Sequence, residues 1–91
     1  MNMKQVDLLE EYLREKEINY QRWDMDDGEQ IIVYDEEGHR LWDAICTKYS
    51  FGREKGLLEI MGDIVDEKRV GDRVEGWLTA QDVIDRVEGR L

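Results

Sequence analysis

Apolar positions recur with two different periods along this chain, and the changes of period mark its elements. Over residues 3–17, Val6, Leu9 and Leu13 return at three- and four-residue spacing, with Met3, Leu8 and Tyr12 widening the stripe. That spacing predicts an amphipathic helix whose opposite face is charged, with Glu10 and Arg14 set for an i,i+4 pair. From Ile18 the period falls to two: Ile18, Tyr20 and Arg22 alternate with Asn19, Gln21 and Trp23, as in a strand. Asp26-Asp27-Gly28 is a turn signal. Ile31-Ile32-Val33-Tyr34 is β-branched and aromatic and reads as the central strand. Asp35-Glu36-Glu37-Gly38 is a second hairpin loop, and residues 40–47 a third strand.

The second half is read as helical. Leu57, Leu58, Met61, Ile64 and Val65 predict a helix from about 53 to 65. Residues 66–76, charged and punctuated by Gly71 and Gly76, predict a connecting loop or an irregular hairpin. Thr79 is an N-cap with Asp82 three residues on, and Leu78 and Val83 are placed for a hydrophobic staple. Val83, Ile84, Val87 and Leu91 form the stripe of a last helix, ended by Gly89. The expected architecture is a single α+β domain over residues 1–91. Its order is α-β-β-β-α-α, a three-stranded antiparallel meander with helices packed on one face.

Charge adds a second pattern. The chain of 91 residues has a formal net charge of −10, with 23 Asp and Glu against 13 Lys and Arg. Asp24, Asp26, Asp27, Glu29, Asp35, Glu36 and Glu37 lie in fourteen residues that contain no Lys or Arg. This acidity opposes direct binding to nucleic acid or anionic lipid, which carry the same sign. No apolar run approaches the ~18 residues of a membrane span, and the N-terminus lacks the apolar stretch of a signal peptide. Cys46 is the only cysteine, which excludes an intramolecular disulfide and fits a reducing compartment. A cytoplasmic protein is expected.

Catalytic and cofactor signatures are weak throughout. One His (His39) and one Cys (Cys46) cannot supply the four ligands of a usual structural zinc site. Asp24-x-Asp26 begins like a calcium loop, but Gly28 stands where a ligand belongs and strands flank it. Ser50, the only serine, has no nucleophile-elbow context. Gly52-Arg53-Glu54-Lys55-Gly56 lacks the Lys-Ser/Thr ending of a phosphate-binding loop. The expectation is therefore a non-enzymatic protein with no cofactor and no metal.

Two surfaces remain as candidates for binding. The seven carboxylates of the hairpin region form the first; in a meander they bracket the sheet and present acid to a protein with a basic surface, a nucleic-acid enzyme among them. The second is apolar. Ile31 and Val33 alternate with Ile32 and Tyr34, so both faces of the central strand are hydrophobic, and Trp23 and Trp42 lie close in sequence. Either the 66–78 segment with Trp77 covers the second face, or Trp23, Ile31, Val33 and Trp42 form an open-face interface there, a homodimer included. Asp-Arg-Val-Glu-Gly-x-Leu occurs at 72–78 and again at 85–91; seven residues are too few for a solenoid unit, and the echo reads as chance.

Leu41-Trp-Asp-Ala-Ile-Cys46, Gly56-Leu-Leu-Glu-Ile-Met-Gly62 and Val74-Glu-Gly-Trp-Leu-Thr-Ala80 resemble stretches of a group of small acidic proteins from Firmicutes and their phages. That resemblance spans residues 41 to about 84 and implies a phage or prophage accessory protein; it transfers no functional residues. In element order, size and acidity the chain is also similar to a DNA-mimicking anti-CRISPR protein. That looser similarity implies inhibition of a nucleic-acid-binding protein, an inference from fold alone.

Overall fold

The computed structural model describes residues 3–89. The elements are α1 (Gln5–Glu15), β1 (Tyr20–Met25), β2 (Gly28–Tyr34), β3 (Arg40–Thr47), a 3-10 turn (Arg53–Lys55), β4 (Leu58–Gly62), α2 (Glu67–Val70), β5 (Val74–Leu78) and α3 (Ala80–Val87). The strands form one antiparallel sheet in the order β1-β2-β3-β4-β5. The α+β class is as expected; the sheet has five strands where three were predicted.

Both added strands lie in segments read otherwise. Residues 53–65 do not form a helix: Arg53–Lys55 is one 3-10 turn, and Leu58–Gly62 is β4. Leu58 and Ile60 are fully buried while Met61 is half exposed, a period of two over five residues. Leu58 and Met61 happen also to sit at i and i+3, which is how so short a strand imitates a helix. Likewise, the segment read as a loop at 66–76 holds the one-turn helix α2 and the start of β5.

The helices cover one face only. Val6, Leu9 and Leu13 of α1 and Ala80 and Val83 of α3 are buried against Ile31, Val33, Trp42, Ala44, Cys46, Leu58, Ile60 and Leu78 of the sheet. Burying each large aliphatic side chain contributes about 1.5–3 kcal/mol, so this layer carries most of the stabilisation. Ile31, Val33 and Trp42, predicted to line an open face, are 0, 2 and 4% exposed and belong to this core. The parity of β2 decides it: Ile31 and Val33 point to the helices, and Ile32 and Tyr34 to the other side.

Polar networks flank the core. Arg22 donates to Asp7, Glu10 and Asp24 at 2.8–2.9 Å. Glu75 accepts from Arg86 at 2.7 Å and Arg69 at 2.8 Å, tying β5 to α3 and α2. α3 starts as predicted: Asp82 N–H donates to Thr79 Oγ1 at 3.1 Å, and Thr79 N–H to Asp82 Oδ2 at 3.0 Å. The staple residues Leu78 and Val83 are both buried. Leu91 lies outside the described residues. Thr79→Ala is expected to cost about 1 kcal/mol through loss of this cap, read as a lower urea midpoint with an unchanged slope; no change in midpoint would show that the cap contributes nothing.

Candidate interaction surface

The side of the sheet away from the helices is covered by no described helix. Strand parity and register place Gln21, Trp23 and Met25 of β1, Gln30, Ile32 and Tyr34 of β2, Asp43 and Ile45 of β3, and Glu59 and Met61 of β4 on it. Cross-strand rows run Gln21–Ile32–Asp43–Met61–Val74 and Trp23–Gln30–Ile45–Glu59. Trp23 is 52% and Met61 49% exposed.

The far end of the second row is built by a bulge. Leu58 faces Leu78 and Ile60 faces Glu75, so two residues of advance on β4 match three on β5, and the extra residue falls at Gly76-Trp77. A bulge at a sheet edge re-aims a side chain. Here Trp77 takes φ 56, a left-handed conformation rare for a bulky residue, at a cost of about 1–3 kcal/mol. Its ring stacks on Phe51, centroids 5.1 Å apart and planes 18° from parallel. The Trp77 N–H donates to the Phe51 carbonyl at 3.3 Å. Gly76 permits the approach: a Cβ there would stand 2.3 Å from the Phe51 Cβ. Phe51 and Trp77 remain 50 and 55% exposed. The chain thus holds a strained residue in order to keep two stacked aromatic rings in water.

Charge is scarce on this face. Asp43 is nearly buried, accepting from Arg40 at 2.8 Å and from Gln30 at 2.9 Å. Glu59 accepts the Phe51 N–H at 3.0 Å. Both carboxylates are thus engaged within the chain, and the exposed area between them is apolar or amide.

The seven hairpin carboxylates do not form one cluster. Asp24 accepts from Arg22 at 2.9 Å and Glu29 from Lys4 at 3.4 Å, so both are partly neutralised. Asp35 is built into the β2–β3 turn, accepting the N–H groups of His39 and Glu37 at 2.8 and 2.9 Å. The His39 N–H, countered by burial and joined by Glu37, holds its carboxyl below the usual range. Asp26 and Asp27 stand at one end of β2, Glu36 and Glu37 at the other, separated by about 20 Å at ~3.4 Å per residue. Among the described residues Asp26, Asp27 and Glu36 make no ion pair, and Glu37 meets only His39, at 3.8 Å.

Cys46 is buried, and burial pushes its thiol pKa up, so it is a poor nucleophile. Ser50 Oγ donates to the Thr47 carbonyl and accepts the Thr47 N–H, both at 2.9 Å, a local turn lock. Among the described residues no group of three or more His, Cys, Asp or Glu is arranged to hold a metal ion, and no helix is long and apolar enough to cross a membrane. Comparison of the chain with protein-family models, curated proteins and solved structures gives no match.

Phe51, Met61 and Trp77 were missed as surface residues by sequence reasoning. Met61 stands in the predicted helix stripe, and Trp77 in the segment that one of the two readings lays over the open face. The available signal was Gly56 and Gly62, which bracket β4 too closely for a helix.

Proposed function

We propose that this chain is a non-enzymatic interaction module whose open sheet face pairs with a second copy of itself, the acid elsewhere keeping it in solution. The observation that carries this is the aromatic pair Phe51–Trp77, held exposed at the cost of backbone strain on a face whose charges are already engaged. Two copies of charge −10 repel one another, so they can meet only where charge is sparse, and this face offers that. Size agrees: the two-layer stack measures 31 × 30 × 21 Å, and its broad face can supply the ~800 Å² per partner of a stable interface. Trp and Met are the side chains that carry such interfaces.

Sedimentation velocity over a wide concentration range tests the reading. A reversible dimer is expected, and added salt should tighten it by screening the like charges. Trp77→Asn keeps a residue tolerant of positive φ while removing the ring; it should weaken the dimer at least about tenfold. A wild-type chain that stays monomeric at all concentrations and salt levels would overturn the proposal.

A second reading has its own support in the tip carboxylates Asp26, Asp27, Glu36 and Glu37, which crown opposite ends of β2. On it, the chain binds a basic protein surface, as a phage-type DNA mimic would. Its salt dependence has the opposite sign: binding weakens steeply as salt rises. Charge reversal at the four tips should abolish capture of such a partner and leave self-association intact.

A further inference from the structure

On the helix side of the sheet, remote from the open face, a cleft of about 360 Å³ lies between the start of α1, the β2–β3 strands and the 3-10 turn. That volume is within the range of small-molecule sites. Three cations line it, Lys4 from one end of the chain and Arg53 and Lys55 from the 3-10 turn, against one carboxylate, Glu29. Lys4 is paired with Glu29 at 3.4 Å. Arg53 and Lys55 make no ion pair among the described residues, although acids outnumber bases 23 to 13 in this chain. Surplus positive charge in a concave site on so acidic a protein calls for an anion from outside.

Two further groups aim at the same space. Gln5 and Val6, the first two residues of α1, line the cleft, and their N–H groups have no acceptor among the described residues. They add donors and the positive helix end. Cys46, a residue 9% exposed whose thiol has no hydrogen-bond partner among the described residues, also lines the cleft, with Val6 and Met3 as apolar wall.

From this convergence we infer that the cleft binds a small phosphorylated organic anion, its phosphoryl group held by Arg53, Lys55 and the α1 N–H groups and its carbon body lying against Val6 and Met3. Arginine suits the role because its planar fork meets two phosphate oxygens at once. The cleft is far larger than a phosphate alone, which is why the ligand must carry more than the anion.

Amide NMR titration tests this at constant ionic strength, with sodium chloride as the compensating salt. Inorganic phosphate should give saturable shifts at the Gln5, Val6 and Gly56 amides, and glycerol phosphate the same shifts with several-fold tighter binding. The double variant Arg53→Ala/Lys55→Ala removes two exposed side chains from a turn that buries nothing; it should weaken both at least tenfold without moving the thermal melt. Non-saturating shifts, equal shifts with chloride, or unchanged binding in the double variant would overturn the site. Equal affinity for the two probes would overturn its organic half.

Discussion

Gly28→Ala is expected to leave the chain largely unfolded, with a loss of about 4 kcal/mol or more. Gly28 opens β2 at φ 144, a region essentially closed to other residues, and a Cβ there would stand 2.0 Å from the Cys46 carbonyl oxygen and 2.6 Å from the Thr47 Cα. Both obstacles are backbone of the paired strand β3, so no side chain can swing aside. Relief would require prying apart the Gly28–Thr47 end of the β2–β3 ladder, next to the hairpin that joins β1 to β2. A domain of this size has only some 5–14 kcal/mol in total. Gly38→Ala is the control: its φ is 87, but no atom lies within 4 Å of the added methyl, so the cost is strain alone, about 1 kcal/mol. Urea unfolding followed by tryptophan fluorescence separates the two. If Gly28→Ala unfolds at the midpoint of Gly38→Ala, the close approach is not what fixes the hairpin.

How far the fold can be read from sequence depends on whether the local pattern or the tertiary setting decides each element. α1 and α3 were legible because a stripe and, for α3, a capping box agree. The first three strands were legible from β-branched runs between turn residues. β4 and β5 were not. The heptapeptide Asp-Arg-Val-Glu-Gly-x-Leu shows why: at 72–78 it contains the strand Val74–Leu78, whereas at 85–89 the same letters close the helix α3. Nothing in those residues chooses. The first copy becomes a strand because β4 offers an open edge beside it; the second stays helical because Thr79 has nucleated α3 upstream. Propensity is a weak prior when packing partners differ.

The candidate surface was legible only in part. The double-sided pattern of Ile31 to Tyr34 shows in sequence that both faces of β2 are apolar, and in the structure Trp23, half exposed, lies on the face away from the helices. Which alternate residues face outward turns on register with the helices, and there Ile31, Val33 and Trp42 went to the core. The stacked pair Phe51–Trp77 joins residues 26 apart in the chain and depends on the β4–β5 bulge, a relation that no local pattern encodes. The acidic run was conspicuous as a block of sequence, yet a meander distributes it to two ends of one strand.

Glu75→Gln is expected to cost about 3 kcal/mol at neutral pH, and the cost should shrink in acid. The Glu75 carboxylate, 12% exposed, takes the Arg86 Nε and Nη2 at 3.0 and 2.7 Å and the Arg69 Nη2 at 2.8 Å. Arg86 has a side chain 11% exposed and no other carboxylate partner among the described residues, so removing the charge strands a part-buried guanidinium. The Arg22 cluster is better insured. Asp7→Asn still leaves Arg22 with Glu10 and Asp24, and should cost about 1 kcal/mol or less. The pH dependence follows from the direction of the Glu75 shift. Arg86, opposed by burial and supported by Arg69, holds the folded carboxyl below its ordinary value of 4.5. A depressed carboxyl stabilises the fold fully above that unfolded value and loses its contribution as pH falls through the folded one. Protonating the other acids relieves the repulsion of a net charge of −10, while Asp7 and Asp35, also held below their ordinary values, lose stabilisation in acid. Wild type and Glu75→Gln share these contributions, so the difference between them below pH 4.5 reports the Glu75 loss alone. Urea midpoints of the two proteins should converge from neutral pH toward strong acid. A gap that stays constant across that range would mean that Glu75 acts through shape and hydrogen bonding, and that its charge opposite Arg86 contributes nothing.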